Sequence, residues 1–466
     1  MAAIQAATTA GHTILKEEVI DAFQARLRGE LLRPRDDHYD AARKIWNMMI
    51  DKRPALIARC VGAADVIQCV NLAREHDLLV SVRGGGHNIA GHAVCDGGLM
   101  IDLSGMKAVR VDPVRRTAQA QPGLRWGEFD RETQAFGLAT TGGIFTPTGI
   151  AGLTLGGGLG WLMSKHGLTC DNLLSADVVT ADGQLLAVNG NENPELFWGL
   201  RGGGGNFGIV TSFEYRLHPV GPVVSGLVAH PIDNAREVLR FYREFTASLP
   251  DELTAYALLA YAPDGSGTPI AAIAVCHCGP LTEAEAAVRP VKEFGSPLMD
   301  VIGPTGYEET NMMFDAGYPK GALNYWKSSF LSELSDGAID TLADQFSTCP
   351  SPMSSLGLEH IHGAATRVGA TETAFPHRQP GYNFLALSEW LDPAQSEQNV
   401  AWARESYAAM QPHMASGRYV NYIGEEEGED PVRAAYGPNY ERLAQLKNKY
   451  DPSNLFHMNQ NIAPAV

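Results

Sequence analysis

The chain has 466 residues and a formal charge of −17, from 53 acidic against 36 basic side chains spread along its length, which excludes nucleic acid and anionic membrane as its main partners. Hydrophobic residues make up 45% and charged residues 19%, the balance of a globular protein and not of a disordered or fibrous one. At roughly 100–200 residues per domain the length predicts two or three structural units, enough to bury a site.

Residues 1–20 lack a basic start followed by an apolar block, and no apolar stretch is long enough to span a bilayer, so a soluble, cytoplasmic protein is expected. In residues 16–50, Val19, Ile20, Phe23 and Leu27 recur at helical spacing, predicting an N-terminal helical cover over 1–50. A strand over 55–61, a helix carrying Val66, Val70 and Leu72, and a strand over 78–82 then form a βαβ-like start that runs directly into Arg83-Gly84-Gly85-Gly86-His87. From 99 to 218 short strands alternate with turns, completing a compact α+β unit over 51–219. Helices at 233–248 and 281–294 then alternate with strands at 254–262, 269–277, 323–331 and 355–362. This pattern predicts a second domain, 220–415, built on an antiparallel sheet backed by helices. A C-terminal segment, 416–466, contains the run Glu425-Glu426-Glu427-Gly428-Glu429-Asp430, expected to be a solvated loop, and a short helix over 440–449.

The 49 glycines cluster at 84–98, 142–160 and 202–208. Consecutive glycines after a strand let the backbone approach another group closely and turn its amides toward anionic oxygens. One such cluster is most simply a tight turn, but three point to a long anionic cofactor. Gly203-Gly204-Gly205-Asn206-Phe207-Gly208 formally matches the dinucleotide fingerprint. The next residues, Ile209 to Tyr215, read as a strand where that fingerprint needs a helix, so a Rossmann fold is not expected.

Taken together, Val82 to Asn88, Gly149-Ile150-Ala151-Gly152 with Leu155-Gly156-Gly157-Gly158, Asp171-Asn172, Asn206 to Val210, Tyr419-Val420-Asn421-Tyr422, and Tyr450 to Phe456 leading to Asn459-Gln460-Asn461 resemble the berberine-bridge-enzyme-like oxidoreductases of vanillyl-alcohol-oxidase type, in their bacterial hydroxynicotine-oxidase-like branch. The resemblance spans about residues 52 to 463. It implies an α+β fold with a two-subdomain FAD-binding domain and a substrate domain. It also implies FAD contacts from Arg83, Gly84, Gly85, Gly86, His87, Asn88 and His92 of the first loop, and from Gly143, Thr148, Gly149, Gly152, Leu153, Thr154, Gly157 and Gly160 of the second. Ile209, Val210, Tyr419, Asn459 and Asn461 complete the set.

By the same resemblance the flavin is joined covalently to His87. Some members add a second link through a cysteine before the second loop. Here Phe145 or Thr146 stands in its place, so a single link is expected. Cys170 is expected to be a packed thiol and not a second anchor, and Cys95, near the first loop, has no role that the resemblance implies. Alternation along a strand separates His277 from Cys276 and Cys278, so no metal is expected. The resemblance points to Tyr422 as the base. With an ordinary pKa near ~10 a tyrosine needs a cationic neighbour to act near neutral pH; Lys327 is the candidate, with Tyr325 on the same face of its strand. The implied activity is oxidation of a small alcohol, sugar or amine with O2 as acceptor and H2O2 as product. A dehydrogenase using another acceptor, or a flavin-binding protein without turnover, stays open.

Overall fold

The computed structural model describes residues 3–424 and 431–465; the acidic run Glu425 to Asp430 lies outside the described residues. Three sheets organise the chain, and the fold is α+β as expected.

The first sheet has four strands in the order Glu30–Leu32, Leu56–Arg59, Leu99–Asp102, Val80–Arg83. The last three are parallel. Its strands are buried on both faces, as parallel strands covered by helices must be, and the helix Ala63–Glu75 packs Val66, Cys69 and Val70 against it. The second sheet is antiparallel, in the order Leu185–Asn189, Leu173–Val179, Ile209–Arg216, Thr117–Ala120, Val109–Asp112. Both sheets feed the glycine loops: Val80–Arg83 ends at the first, and Ile209–Arg216 starts from the third.

The third sheet is wholly antiparallel. Its path runs Met299–Asp300, Val223–Pro231, Pro269–His277, Leu253–Tyr261, Ser355–Ile361, Gly381–Trp390, Leu323–Leu331. One face carries Ala257, Ile273, Leu358, Phe384 and Ala386 into a core with the helices Ala235–Thr246, Leu281–Glu293, Asp336–Phe346 and Ser396–Met410. The other face carries Tyr256, Glu359, Asn383, Leu385, Leu387 and Trp326, which the pairing places side by side. Strict alternation fixes this division, because successive side chains leave opposite faces.

The N-terminal segment is not the helical cover that its spacing predicts. It opens with a hairpin, Ile4–Thr8 against Gly11–Leu15, and only Glu17–Gln24 and Tyr39–Arg43 are helical. Glu30–Leu32 pairs antiparallel with Leu56–Arg59, because joining the edge of an existing sheet satisfies backbone groups that a helix end would leave open. At the other end, the helix Tyr440–Tyr450 returns to the second sheet's core. The fully buried Lys447 ammonium there bonds Asp451 at 2.6 Å, the Asn206 carbonyl at 2.8 Å and the Phe456 carbonyl at 2.9 Å. Its charge is thus paired and hydrogen-bonded, and it ties the C-terminal segment to the third glycine loop.

Candidate active site

Between the first two sheets and the open face of the third lies a long cavity whose wall includes Gly84 to Ile89, Gly143 to Phe145, Thr148, Gly149, Gly152, Leu153, Gly204 to Asn206 and Gly208 to Val210. Tyr419 to Tyr422, Met458 to Gln460 and Trp326 close it. Backbone contact between loops explains the glycines. A Cβ on Gly85 would stand 2.4 Å from the Gly149 Cα, and one on Gly149 would stand 2.5 Å from the Gly85 nitrogen. No side chain fits between the two loops. Gly86 has φ +72°, a turn that only glycine makes without strain, and it delivers His87 to the cavity.

His87 is held by stacking on Trp46, ring centroids 4.1 Å apart and 17° from parallel, while the Trp46 amide bonds the Gly86 carbonyl at 2.9 Å. Burial lowers the His87 pKa to about 4, with nearby Arg125 adding to the effect. The imidazole is therefore neutral and keeps a nitrogen lone pair. His92 is also on the wall, and its pKa is likewise lowered to about 4 by burial.

The wall suits the long polar cofactor that the sequence implies. His92 Nδ1 and Asn459 Oδ1 are buried without a hydrogen-bond partner among the described residues, and native proteins rarely leave such groups unmet. At Gly152 and Gly205 an added Cβ would meet nothing within 4 Å, so these glycines leave room along the cavity.

Fifteen of the twenty expected cofactor contacts are on the wall; Arg83, Thr154, Gly157, Gly160 and Asn461 are not. Arg83 turns beneath the loop to donate to the Ala42 carbonyl, near Asp102. Thr154 bonds the Ile150 carbonyl at 2.7 Å and the Tyr215 hydroxyl at 2.8 Å. Gly157 and Gly160 make room for Phe375 and the Gly142 carbonyl. Asn461 holds an unpartnered buried oxygen off the wall. Conversely, Gly204, Gly205, Asn206 and Gly208 of the third loop do line the cavity, although the strand after them rules out the dinucleotide fingerprint. Phe145 is on the wall, and Thr146 bonds Asp315 through its amide at 3.0 Å and through its hydroxyl. Cys170 is fully buried beside Asp171 and Arg378, and burial raises its thiol pKa. Cys95 is buried too, its pKa pushed to about 11. Among the described residues no group of three or more His, Cys, Asp or Glu side chains is placed to hold a metal ion.

At the end nearest the third sheet, Tyr422 stands against Trp326, ring centroids 5.9 Å apart. The Tyr422 hydroxyl donates to Glu359 Oε1 at 3.2 Å, and Asn383 Nδ2 donates to Glu359 Oε2 at 2.7 Å. Burial raises the Glu359 pKa to about 7 against those two bonds. Burial, and next the Glu359 charge, raise the Tyr422 pKa well above its ordinary value. The expected cationic neighbour is therefore wrong. Lys327 and Tyr325 leave the opposite face of their strand from Trp326; the ammonium lies 5.3 Å from the Tyr407 ring centroid, and Arg404 bonds the Tyr325 hydroxyl at 3.0 Å. We expect Lys327→Met to leave the pH profile of flavin reduction unchanged and to act only on the melting temperature; a displaced acid limb would contradict this placement.

Tyr419, next in the wall, is held as an acceptor by the amides of Gly158 at 3.1 Å and Leu159 at 3.4 Å and by Asn421 Nδ2 at 2.9 Å. It fixes the loop and the Tyr422 ring, whose centroid is 4.7 Å away. Trp46, Glu359 and Asn383 are absent from the sequence-based expectation, as is Tyr318, whose ring centroid lies 4.4 Å from that of Phe145. Alternation along Ser355–Ile361 puts Glu359 on the face opposite His360, but only the sheet order shows that this face meets the cavity.

Comparison with known proteins agrees with this geometry. A family described as FAD binding domain matches residues 54–189, and one described as berberine and berberine like matches residues 418–463. (R)-6-hydroxynicotine oxidase of Paenarthrobacter nicotinovorans is 32% identical over 453 residues, covering 94% of this chain and 97% of that protein. The FAD-linked oxidoreductase YgaK of Bacillus subtilis is 31% identical over 448 residues, covering 95% and 98%. The crystal structure of 6-hydroxy-D-nicotine oxidase from Arthrobacter nicotinovorans superposes with a TM-score of 0.86 at 32% identity, covering 94% of this chain and 98% of that one. BBE-like 1 of Physcomitrella patens shares the fold, with a TM-score of 0.86 at 22% identity, covering 96% and 99%.

Proposed function

The chain belongs to the berberine-like FAD-linked oxidoreductases, and from that premise we propose that it is an oxidase taking hydride from a C–H bond of a small alcohol, sugar or amine, with FAD tethered through His87 alone and O2 as the acceptor. The observation that carries this is the hydrogen-bonded pair of Tyr422 and Glu359 at one end of the cavity. Bound FAD supplies the two-electron sink. The protein supplies placement and a path for the proton. For an alcohol substrate, the Tyr422 oxygen takes the hydroxyl proton as the phenolic proton passes to Glu359 Oε1. Only the carboxylate can receive it, and a group with a pKa near 7 is half-ionised at neutral pH. Asn383 holds that carboxylate in place.

The neutral imidazole of His87, fixed by Trp46, supports the tether, and Phe145 where a second cysteine could stand supports a single one. Trp326 and Ile89 exclude water beside Tyr422.

The test is to present candidate substrates to the holoenzyme without oxygen, follow bleaching of the flavin, and then measure peroxide on admitting air. Bleaching with one peroxide per turnover is expected. Bleaching that oxygen reverses only slowly, while an artificial acceptor reverses it at once, would indicate a dehydrogenase. Bleaching by none of the alcohols, sugars and amines offered would indicate a flavin-binding protein.

A further inference from the structure

Residues 46–48 cross from the first glycine loop to the third sheet, and nothing in the proton path through Tyr422 and Glu359 uses them. Asn47 is buried, and its side-chain amide is fully engaged. Its Nδ2 donates to the Ile89 carbonyl at 3.1 Å and to the Asn324 carbonyl at 2.9 Å. Its Oδ1 accepts from the amides of Met49 and Asn324, both at 3.1 Å. The two bonds to Asn324 repeat what a neighbouring strand would make, on the free edge of Leu323–Leu331, the last strand in the path of the third sheet. The Met48 amide adds a bond to the Ala322 carbonyl at 3.1 Å. On the other side the Trp46 amide holds the Gly86 carbonyl, and the Trp46 ring lies face-on against His87 and edge-on against Trp326, 5.4 Å away. Trp326 is fixed in turn by its indole nitrogen, which donates to Asn324 Oδ1 at 3.1 Å. Trp46 itself is not on the cavity wall, whereas His87 and Trp326 are.

We propose that Trp46 and Asn47 are positioning residues for the flavin tether: Trp46 sets the His87 ring for bond formation, and Asn47 lets it do so only when Leu323–Leu331 is docked. This rests on the single-link reading. Tethering forms a C–N bond between an imidazole nitrogen and the flavin methyl carbon. The imidazole N–H and one C–H bond are lost, and the two protons and two electrons go to O2 as H2O2. A ring held on one face keeps few orientations, so the geometry of bond formation is met beforehand. Asn47 bonds Ile89, two residues beyond His87, and Asn324, two residues before Trp326. The His87 ring is therefore set only where the first loop and the third sheet meet. A chain whose second domain is not in place binds flavin without fixing it.

The test measures, in the purified full-length protein, the fraction of bound flavin that stays with the chain after acid precipitation. Wild type is expected to keep all of it, and Trp46→Phe, which still stacks, nearly all. Trp46→Leu fills space but offers no ring face. Asn47→Asp keeps size and acceptors but has no N–H for the Ile89 and Asn324 carbonyls. Both are expected to bind flavin and to keep about a tenth or less of it through acid. Total flavin and melting temperature, read on the same samples, separate that loss from unfolding. Trp46→Leu or Asn47→Asp as fully tethered as wild type would overturn the proposal. So would loss of bound flavin in both with the remainder still tethered, the result a purely structural segment gives, or loss of the tether in Trp46→Phe. Acid-labile flavin in the wild type refutes the tether itself, whereas a tethered wild type beside tethered variants refutes only the role of residues 46–48.

Discussion

Glu359→Gln is expected to slow substrate-driven reduction of the flavin by about 10²–10⁴-fold, the usual contribution of a positioned base. Glutamine keeps the volume and can still bond Tyr422 and Asn383, but it cannot take a proton. The pH dependence gives the sharper signature. Burial raises the Glu359 pKa to about 7, and the working form is the ionised one, so the wild-type rate falls as pH drops through 7, approaching about tenfold per unit. Glu359→Gln loses that limb. Tyr422→Phe removes the other half of the relay, and the double variant is expected to be no slower than the worse single one, because residues acting as a unit are not additive. An unchanged acid limb in Glu359→Gln, measured by anaerobic stopped-flow, would remove Glu359 from the proton path.

Gly85→Ala is expected to leave the protein without flavin. A Cβ there meets the Gly149 backbone at 2.4 Å from Cα and 2.5 Å from N, and backbone cannot rotate aside as a side chain can. Overpacking of this kind costs about 1–3 kcal/mol or more, concentrated where the first and second loops must meet to form one wall. The measurement is the flavin-to-protein absorbance ratio of the purified variant beside its melting temperature. Full flavin content would show that the loops can part without losing the cavity.

These two positions differ in how plainly the sequence announced them. Close approach of backbone to backbone requires glycine, and so the loops at 84–86 and 149–152 are marked by glycines, consecutive in the first and at both ends of the second, that need no knowledge of the fold. Glu359 carries no such mark. Alternation in a strand divides its residues into two sets but does not say which set meets the cavity. That was decided when Ser355–Ile361 paired between Leu253–Tyr261 and Gly381–Trp390. The same ambiguity misplaced Lys327: its pairing with Tyr325 was right, but the face belongs to the helices, and Trp326 between them is the residue on the wall. The residue type was also misleading, since a tyrosine proposed as base suggested a cation, whereas the hydroxyl's neighbour is the Glu359 carboxyl, which the proposed path uses to take the proton onward. Gly157 and Gly160 lie off the wall, where a Cβ on either would meet Phe375 or the Gly142 carbonyl. The edge strand Glu30–Leu32, three residues long, is too short for any periodicity to register.

Intact mass and peptide mapping of the acid-denatured holoenzyme decide whether the flavin is tethered, and they need no substrate. One FAD is expected to be retained per chain, carried on the peptide that contains His87. Flavin released into the acid supernatant, or found on a peptide containing Cys170, would contradict the single histidine link.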